Sequence, residues 1–440
     1  MVAQQSVCLR KLGNGRAGEV RFGRFLANRR VSASGLVQDI CAGVGERSAG
    51  RHVLAIQDTS EINYQAHAGR VCGLGTVGNG ADLGFFLHPV LVVDAQERAC
   101  LGFAHLHLWQ RRQGKAENYR ELPIESKESD RWISAIEAGR QRLTQAARIT
   151  VVADREADIF EMWHRLPDER TDLLIRASRD RALKTDTGMR LFQWIGSQPV
   201  QGSYRIMLPG VPGKRSAHEA LLHVRFAPVT IKKPRHCSDA GAPEKLTLNI
   251  IEVIEDAKTV VAGEAPIHWR LLTTHAVTTL AQARQCIDWY CQRWHIEQLF
   301  RTLKRQGLDV ESSLLETGER LEKMVVLASA AALRTMQLTL AREGQSQRPA
   351  SDVFTANEIE LLQHVQPTLE GKTEKQKNPH PPNTLAWAAW IIARLGGWKG
   401  YACERKPGPI TMLHGLQAFS DIQQGWMLAL GRTGRNVCIR

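Results

Sequence analysis

Two short apolar runs constrain this chain more than anything else in it. His52–Gln57 (HVLAIQ) and Arg148–Ala153 (RITVVA) are continuously apolar rather than alternating, and each is closed by an aspartate, Asp58 and Asp154. A strand that is apolar on both faces must be covered on both, so these runs predict central strands in an α/β layer arrangement. Their surroundings agree. Leu83–Asp94 and Ala99–Trp109 read as two further strands separated by the polar turn 95–98. Ser129–Gln145 carries Trp132, Ile133, Ile136 and Leu143 at helical spacing, and a helical stretch (DREADIFEMWHRL) follows the second run.

The texture changes on either side of this region. Residues 1–50 are rich in arginine (Arg10, Arg16, Arg21, Arg24, Arg29, Arg30) and read as short helices. From 179 to 276 the pattern becomes β-rich: Leu221–Ile231 and Leu246–Ile254 alternate, punctuated by Pro209, Pro212, Pro228 and Pro234, as expected of an inserted β module. Helical periodicity returns from Leu280 through Arg342. Residues 371–383 (GKTEKQKNPHPPN) read as a mobile, proline-closed loop, and a final helical region starts at Thr384. The expected organisation is a helical region 1–50, a first core segment 51–178, a β-rich insertion 179–276, a second core segment 277–345 and a helical region 346–440.

The N-terminus has no apolar signal core, and no stretch is expected to span a bilayer, since Leu385–Leu395 is short and the run 325–340 is broken by Arg334. The nine cysteines form no CxxC pair, and the nearest two, Cys286 and Cys291, lie in a helical pattern. The expectation is a reduced, cytoplasmic protein without a membrane partner. With 58 Lys and Arg against 45 Asp and Glu, the formal charge is +13, which suits an acidic partner such as nucleic acid and is equally compatible with a basic soluble enzyme.

The most specific stretch is IDWYCQRWHIEQLFRTLKRQG, residues 287–307. At about 100° per residue, one continuous helix would bring Tyr290, Arg293, Glu297 and Lys304 within about 60° of each other. Apolar residues flank that stripe on both sides, so it is expected to face a cleft; the plain alternative is a solvated face with an Arg293–Glu297 ion pair. Asp58, Asp154 and Glu297 together are suited to binding a pair of Mg²⁺ ions through oxygen ligands, and two such ions promote phosphodiester displacement. Singly, Asp154 reads equally well as a helix N-cap and Asp58 as a turn residue.

Four blocks give the chain its resemblance to a known family: AIQDTSEINY around Asp58, VVADREADIF around Asp154, the Y-x2-R-x3-E-x6-K pattern of Tyr290, Arg293, Glu297 and Lys304, and LAWAAWIIARLGGW at 385–398. With weaker similarity in KESDRW (127–132) and HWRLLTT (268–274), the sequence resembles DDE transposases of the insertion-sequence-four family across nearly its whole length. The resemblance implies a ribonuclease-H-like core interrupted by a β-rich insertion, with helical N- and C-terminal regions. It implies that Asp58, Asp154 and Glu297 are the catalytic residues and hold two Mg²⁺ ions, for which Mn²⁺ can substitute. It further implies that Tyr290, Arg293, Lys304, Arg176 and Trp269 contact DNA, Trp269 by stacking on an unstacked base; a core aromatic is the alternative for Trp269.

The implied activity is cut-and-paste transposition: hydrolytic nicking at the element's ends, a hairpin intermediate, then strand transfer into target DNA. The implied partners are the terminal inverted repeats, the target duplex and a second copy of the chain, paired through the C-terminal helices of a nucleoid-associated homodimer. Family members carry a longer helical domain before the first aspartate, of which only 21–38 resembles the end here. A truncated, non-cleaving regulator of transposition is therefore the alternative function, and a structure-specific nuclease a third.

Overall fold

In the computed structural model, all residues are described except 79, 112–121, 186–187, 212, 214, 238, 402–403 and 431–440. The strands are β1 (His52–Gln57), β2 (Ser60–Asn63), β3 (Gly75–Val77), β4 (Asp82–Asp94), β5 (Cys100–Trp109), β6 (Arg148–Ala153), β7 (Thr171–Arg176), β8 (Gly202–Leu208), β9 (His218–Lys232), β10 (Lys245–Glu255) and β11 (His268–Thr273). They form one mixed sheet in the order β2-β4-β1-β6-β7-β11-β10-β9-β8, with β3 and β5 also paired to β4. The β1–β6 and β6–β7 ladders are parallel and the rest antiparallel.

Both continuous apolar runs are the central strands the sequence predicts, and the pleat explains why they are apolar throughout. Leu54 and Ile56 face one core while Val53 and Ala55 face the other. The helices that cover these faces are α1 (Leu9–Leu12), α2 (Arg16–Ala27), α3 (Ala33–Ile40), α4 (Val44–Arg47), α5 (Arg131–Arg140), α6 (Phe160–Arg165), α7 (Leu191–Ser197), α8 (Leu280–Cys291), α9 (Trp294–Leu303) and α10 (Gly318–Ala341). On one face Ile287 of α8, Ile296 and Leu299 of α9 and Met324 of α10 pack against Leu54, Ile56 and Val152. On the other, Trp132 and Ile136 of α5 and Phe160 and Trp163 of α6 pack against Val53, Ala55 and Val151. The C-terminal helices α11 (Ala356–Leu369), α12 (Leu385–Leu395) and α13 (Pro409–Ala429) build a third core around Trp387, Trp390 and Phe419.

The β-rich stretch joins the core sheet: β11 hydrogen-bonds directly to β7, and β10, β9 and β8 extend it. Several expectations are corrected. The helix expected over 129–145 is shorter, because two 3-10 turns precede it and it ends at Arg140. After Asp154 the chain makes a 3-10 turn (Arg155–Ala157), breaks at Asp158 and only then enters α6. The 371–383 segment is tied down rather than loose: it holds a 3-10 turn, and Asn378 Nδ2 donates to the Trp387 carbonyl at 3.0 Å. Finally, α10 is long and apolar enough to cross a bilayer, contrary to the sequence reading, but most of that apolar stretch is buried inside the protein.

Candidate active site

The parallel β1–β6 ladder runs from His52 opposite Arg148 to Ile56 opposite Val152. Asp58 and Asp154 directly follow these two strands, and the charge of Asp154 is close enough to act on the Asp58 carboxyl. Both lie at the carboxyl ends of parallel strands, the edge where α/β sheets collect ligands. The modest local roles allowed by the sequence are also realised. Thr59 N–H donates to Asp58 Oδ1 at 2.8 Å, closing a turn, and Glu156 N–H donates to Asp154 Oδ1 at 2.8 Å, capping the 3-10 turn. These contacts orient both carboxylates and leave the Oδ2 of each directed elsewhere.

Glu297 reaches the same place from the helical layer. Arg293 sits in the break between α8 and α9, donates from Nη1 to Asp58 Oδ2 at 2.9 Å, and bonds Glu297 through Nη2. The i,i+4 pair expected as the plain alternative therefore exists, and its guanidinium also bridges to the strand edge. Burial, together with the neighbouring charge of Asp154 and opposed by Arg293, pushes the Asp58 carboxyl up to about 6. That upward displacement is first the cost of burying a charge, to which the neighbouring carboxylate adds.

The remaining motif residues separate. The single-helix stripe is not formed: α8 ends at Cys291, α9 begins at Trp294, and Lys304 leaves helical geometry as the cap of α9. Lys304 lies about 10 Å along the axis from Glu297. Its ammonium is 3.5 Å from Glu311, in an open cleft of about 600 Å³ with Glu61, Asn63 and Arg305. Tyr290 is only 6% exposed, so its ring is a packing group, set edge-on against Trp269 at 5.7 Å. Burial raises its phenol, and both Arg293 and Arg176 stand close enough to oppose that rise. Trp269 on β11 is half-buried; Arg176 ends β7, opposite Leu271, and donates from Nη2 to the His268 carbonyl at 3.4 Å. Arg176, Trp269, Tyr290 and Arg293 therefore form a continuous flank beside the carboxylates, whereas Lys304 stands apart on the β2 side. Trp294, one of the apolar residues beside that stripe, is exposed.

A second hydrogen-bonded layer lies behind the carboxylates, made of Gln57, Thr59, His88 and Arg131, and the sequence did not single it out. Only weak signals were available: a lone histidine inside an apolar strand, and an arginine before a tryptophan. Asp158 was equally silent. Four residues after Asp154, it is buried and accepts from Ser178 N and Arg179 N at 2.9 Å and from Arg181 Nε at 3.2 Å, so it is a structural acid inside the motif.

This parallel-centred sheet, with helices on both faces, has a ribonuclease-H-like architecture. Residues 124–334 match the family of the transposase DDE domain. The match contains Asp154 and Glu297 and supports a DDE transposase activity for the chain. Asp58 lies before it, at the end of the strand paired with the one that precedes Asp154, and is linked to Glu297 through Arg293.

DDE transposases use divalent metal ions, and the donor set here fits such an ion in chemistry: three carboxylates and no soft ligand. Among the described residues, no three His, Cys, Asp or Glu side chains converge tightly enough to hold an ion as they stand. Arg293 lies between Asp58 and Glu297, so ligation by all three acids requires that guanidinium to move aside.

Proposed function

We propose that this chain is a cut-and-paste transposase in which Asp58, Asp154 and Glu297 hold two Mg²⁺ ions and the Arg176–Trp269–Arg293 flank receives the element's end. The observation that carries this reading is the placing of two aspartates at the ends of paired parallel strands, with a helix-borne glutamate linked to Asp58 through Arg293. Bound divalent ions would activate the attacking oxygen and stabilise the leaving one in an in-line displacement at phosphorus. The chain's own residues do the rest. Asp58 and Asp154, held by the N–H groups of Thr59 and Glu156, present fixed oxygens at the sheet edge. Arg293, drawn off its carboxylates by a phosphate, would pair with the scissile strand, and Arg176 with a neighbouring phosphate. Trp269 offers a ring face to an unstacked base. Since nicking, hairpin formation and strand transfer are all displacements at phosphorus, one site can serve each step.

The test is cleavage of a duplex carrying the element's terminal repeat by the purified chain. Mg²⁺-dependent nicking by the wild type and its loss in Glu297→Gln are expected. Full cleavage by Glu297→Gln would refute the triad, and no cleavage by the wild type would favour a non-cleaving regulator. The homodimer and the nucleoid location rest on the same reading, because two ends must be cut together.

A further inference from the structure

The loops that carry Asp58 and Asp154 are tied together by a single side chain. Arg131, the first residue of α5, donates from Nε to Thr59 Oγ1 at 2.9 Å and from Nη2 to Glu156 Oε2 at 2.9 Å. Thr59 and Glu156 are the two residues whose backbone N–H groups hold the Asp58 and Asp154 carboxylates. Arg131 thus reaches each acid through one intermediary and spans the gap between them.

Its surroundings fix it in place. The guanidinium lies against the rings of Trp109 and Trp132, 5.5 and 5.4 Å from their centroids, and Nη1 donates to the Glu128 carbonyl at 2.7 Å. Its side chain is 12% exposed. A planar fork stacked on aromatic faces can hold two acceptors at a set separation, which a lysine cannot do.

The contacts beneath Thr59 have a direction. Gln57 Nε2 donates to the Trp132 carbonyl at 3.2 Å, so its amide oxygen faces His88. His88 Nε2 then carries the proton and donates to that oxygen at 3.0 Å, which leaves Nδ1 as an acceptor. Thr59 O–H therefore donates to Nδ1 at 2.8 Å, and its oxygen is free to accept from Arg131. Full burial holds the imidazole well below its ordinary range, which keeps it neutral and this order intact. Each polar atom in the chain has a partner in only one sense, so the loop after β1 has one arrangement.

We infer that Arg131 is a positioning residue: through Thr59 and Glu156 it sets the separation of the Asp58 and Asp154 carboxylates, and so the affinity of the site for divalent ions. The inference rests on the carboxylate reading above. Groups of this kind, one contact removed from the ligands, change metal affinity by about 10–100-fold when lost.

The experiment is Mn²⁺ titration of the full chain without DNA, following free Mn²⁺ by electron paramagnetic resonance, with thermal melting in parallel. Asp58→Asn is expected to abolish tight binding. Arg131→Gln, Arg131→Lys and Thr59→Val are each expected to weaken it about tenfold or more, whereas Thr59→Ser, which keeps the hydroxyl, restores wild-type affinity. Thr59→Val removes one hydroxyl at constant shape, so it decides the matter if Arg131→Gln fails to fold. Wild-type affinity in Thr59→Val, or equal loss in Thr59→Ser, would overturn the clamp while a weakened Asp58→Asn left the carboxylate reading standing. Wild-type affinity in Asp58→Asn would overturn that reading itself.

Discussion

Asp58 is the residue at which burial and charge conflict most openly. Its carboxyl titrates near 6 in the folded chain against an ordinary 3.8, chiefly through burial and the charge of Asp154. Between those two values the folded state holds a proton that the unfolded state has released. Stability is therefore undiminished below about pH 4 and falls as pH rises to about 6, by on the order of 3 kcal/mol. With chelator present, Asp58→Asn should raise the melting temperature at pH 8 and leave it unchanged near pH 4; a destabilised variant at pH 8 would contradict the strain. Ligand affinity runs the other way. Because a cation must displace the proton, Mn²⁺ affinity should weaken by about tenfold per unit as pH falls below 6, which the same titration repeated at pH 5 and pH 7 would check.

At the scale of elements, the two motifs are organised by breaks rather than by regular helix. The DREADI motif reads as a helix from Asp154 onward, yet Asp158 turns the chain and fastens it to the loop after β7 through Ser178, Arg179 and Arg181. That acid is fully enclosed, with its side chain 0% exposed. Removing one partner of a buried pair strands the other, so Asp158→Ala should cost about 3–5 kcal/mol by urea unfolding, whatever its effect on cleavage. A loss below 1 kcal/mol would show that the loop is held some other way. The α8–α9 break has the opposite consequence. It lets Arg293 turn from its own helix toward the strand edge, and it removes Lys304 from the stripe that an ideal helix would have drawn. The spacing in the sequence put Tyr290, Arg293, Glu297 and Lys304 on one stripe. It assumed one straight helix, and a period of 3.6 cannot register a kink.

For the molecule as a whole, the sheet joins what composition divides. The change of texture after 179 reflects the alternating burial of β8 and β9, while β10 and β11 still contribute to the cores on both faces and the hydrogen bonding runs on unbroken from β7 to β11. Continuity of this kind fixes Trp269 and Arg176 on adjacent strands beside the carboxylates, although they are 93 positions apart in sequence. The net charge of +13 also belongs to this scale. If the flank binds DNA through phosphates, affinity should fall steeply and linearly on a log–log plot against salt, with a slope of about −0.9 for each phosphate neutralised. A flat response in a filter-binding or anisotropy titration between low and moderate salt would contradict a phosphate-led interface.

By itself the sequence determined the two central strands to the residue and the layered α/β class, and it singled out Asp58, Asp154 and Glu297 as the candidate acids, because local patterning and the chemistry of side chains leave marks one residue at a time. It could not determine how those acids meet. The pairing of β1 with β6 puts Asp58 and Asp154 at the ends of neighbouring strands, a broken helix aims Arg293 at both Asp58 and Glu297, and Arg131 ties the two aspartate loops across 72 positions on one side and 25 on the other. Such contacts depend on which surfaces are buried against which, and burial is settled only when the whole sheet and its covering helices close together.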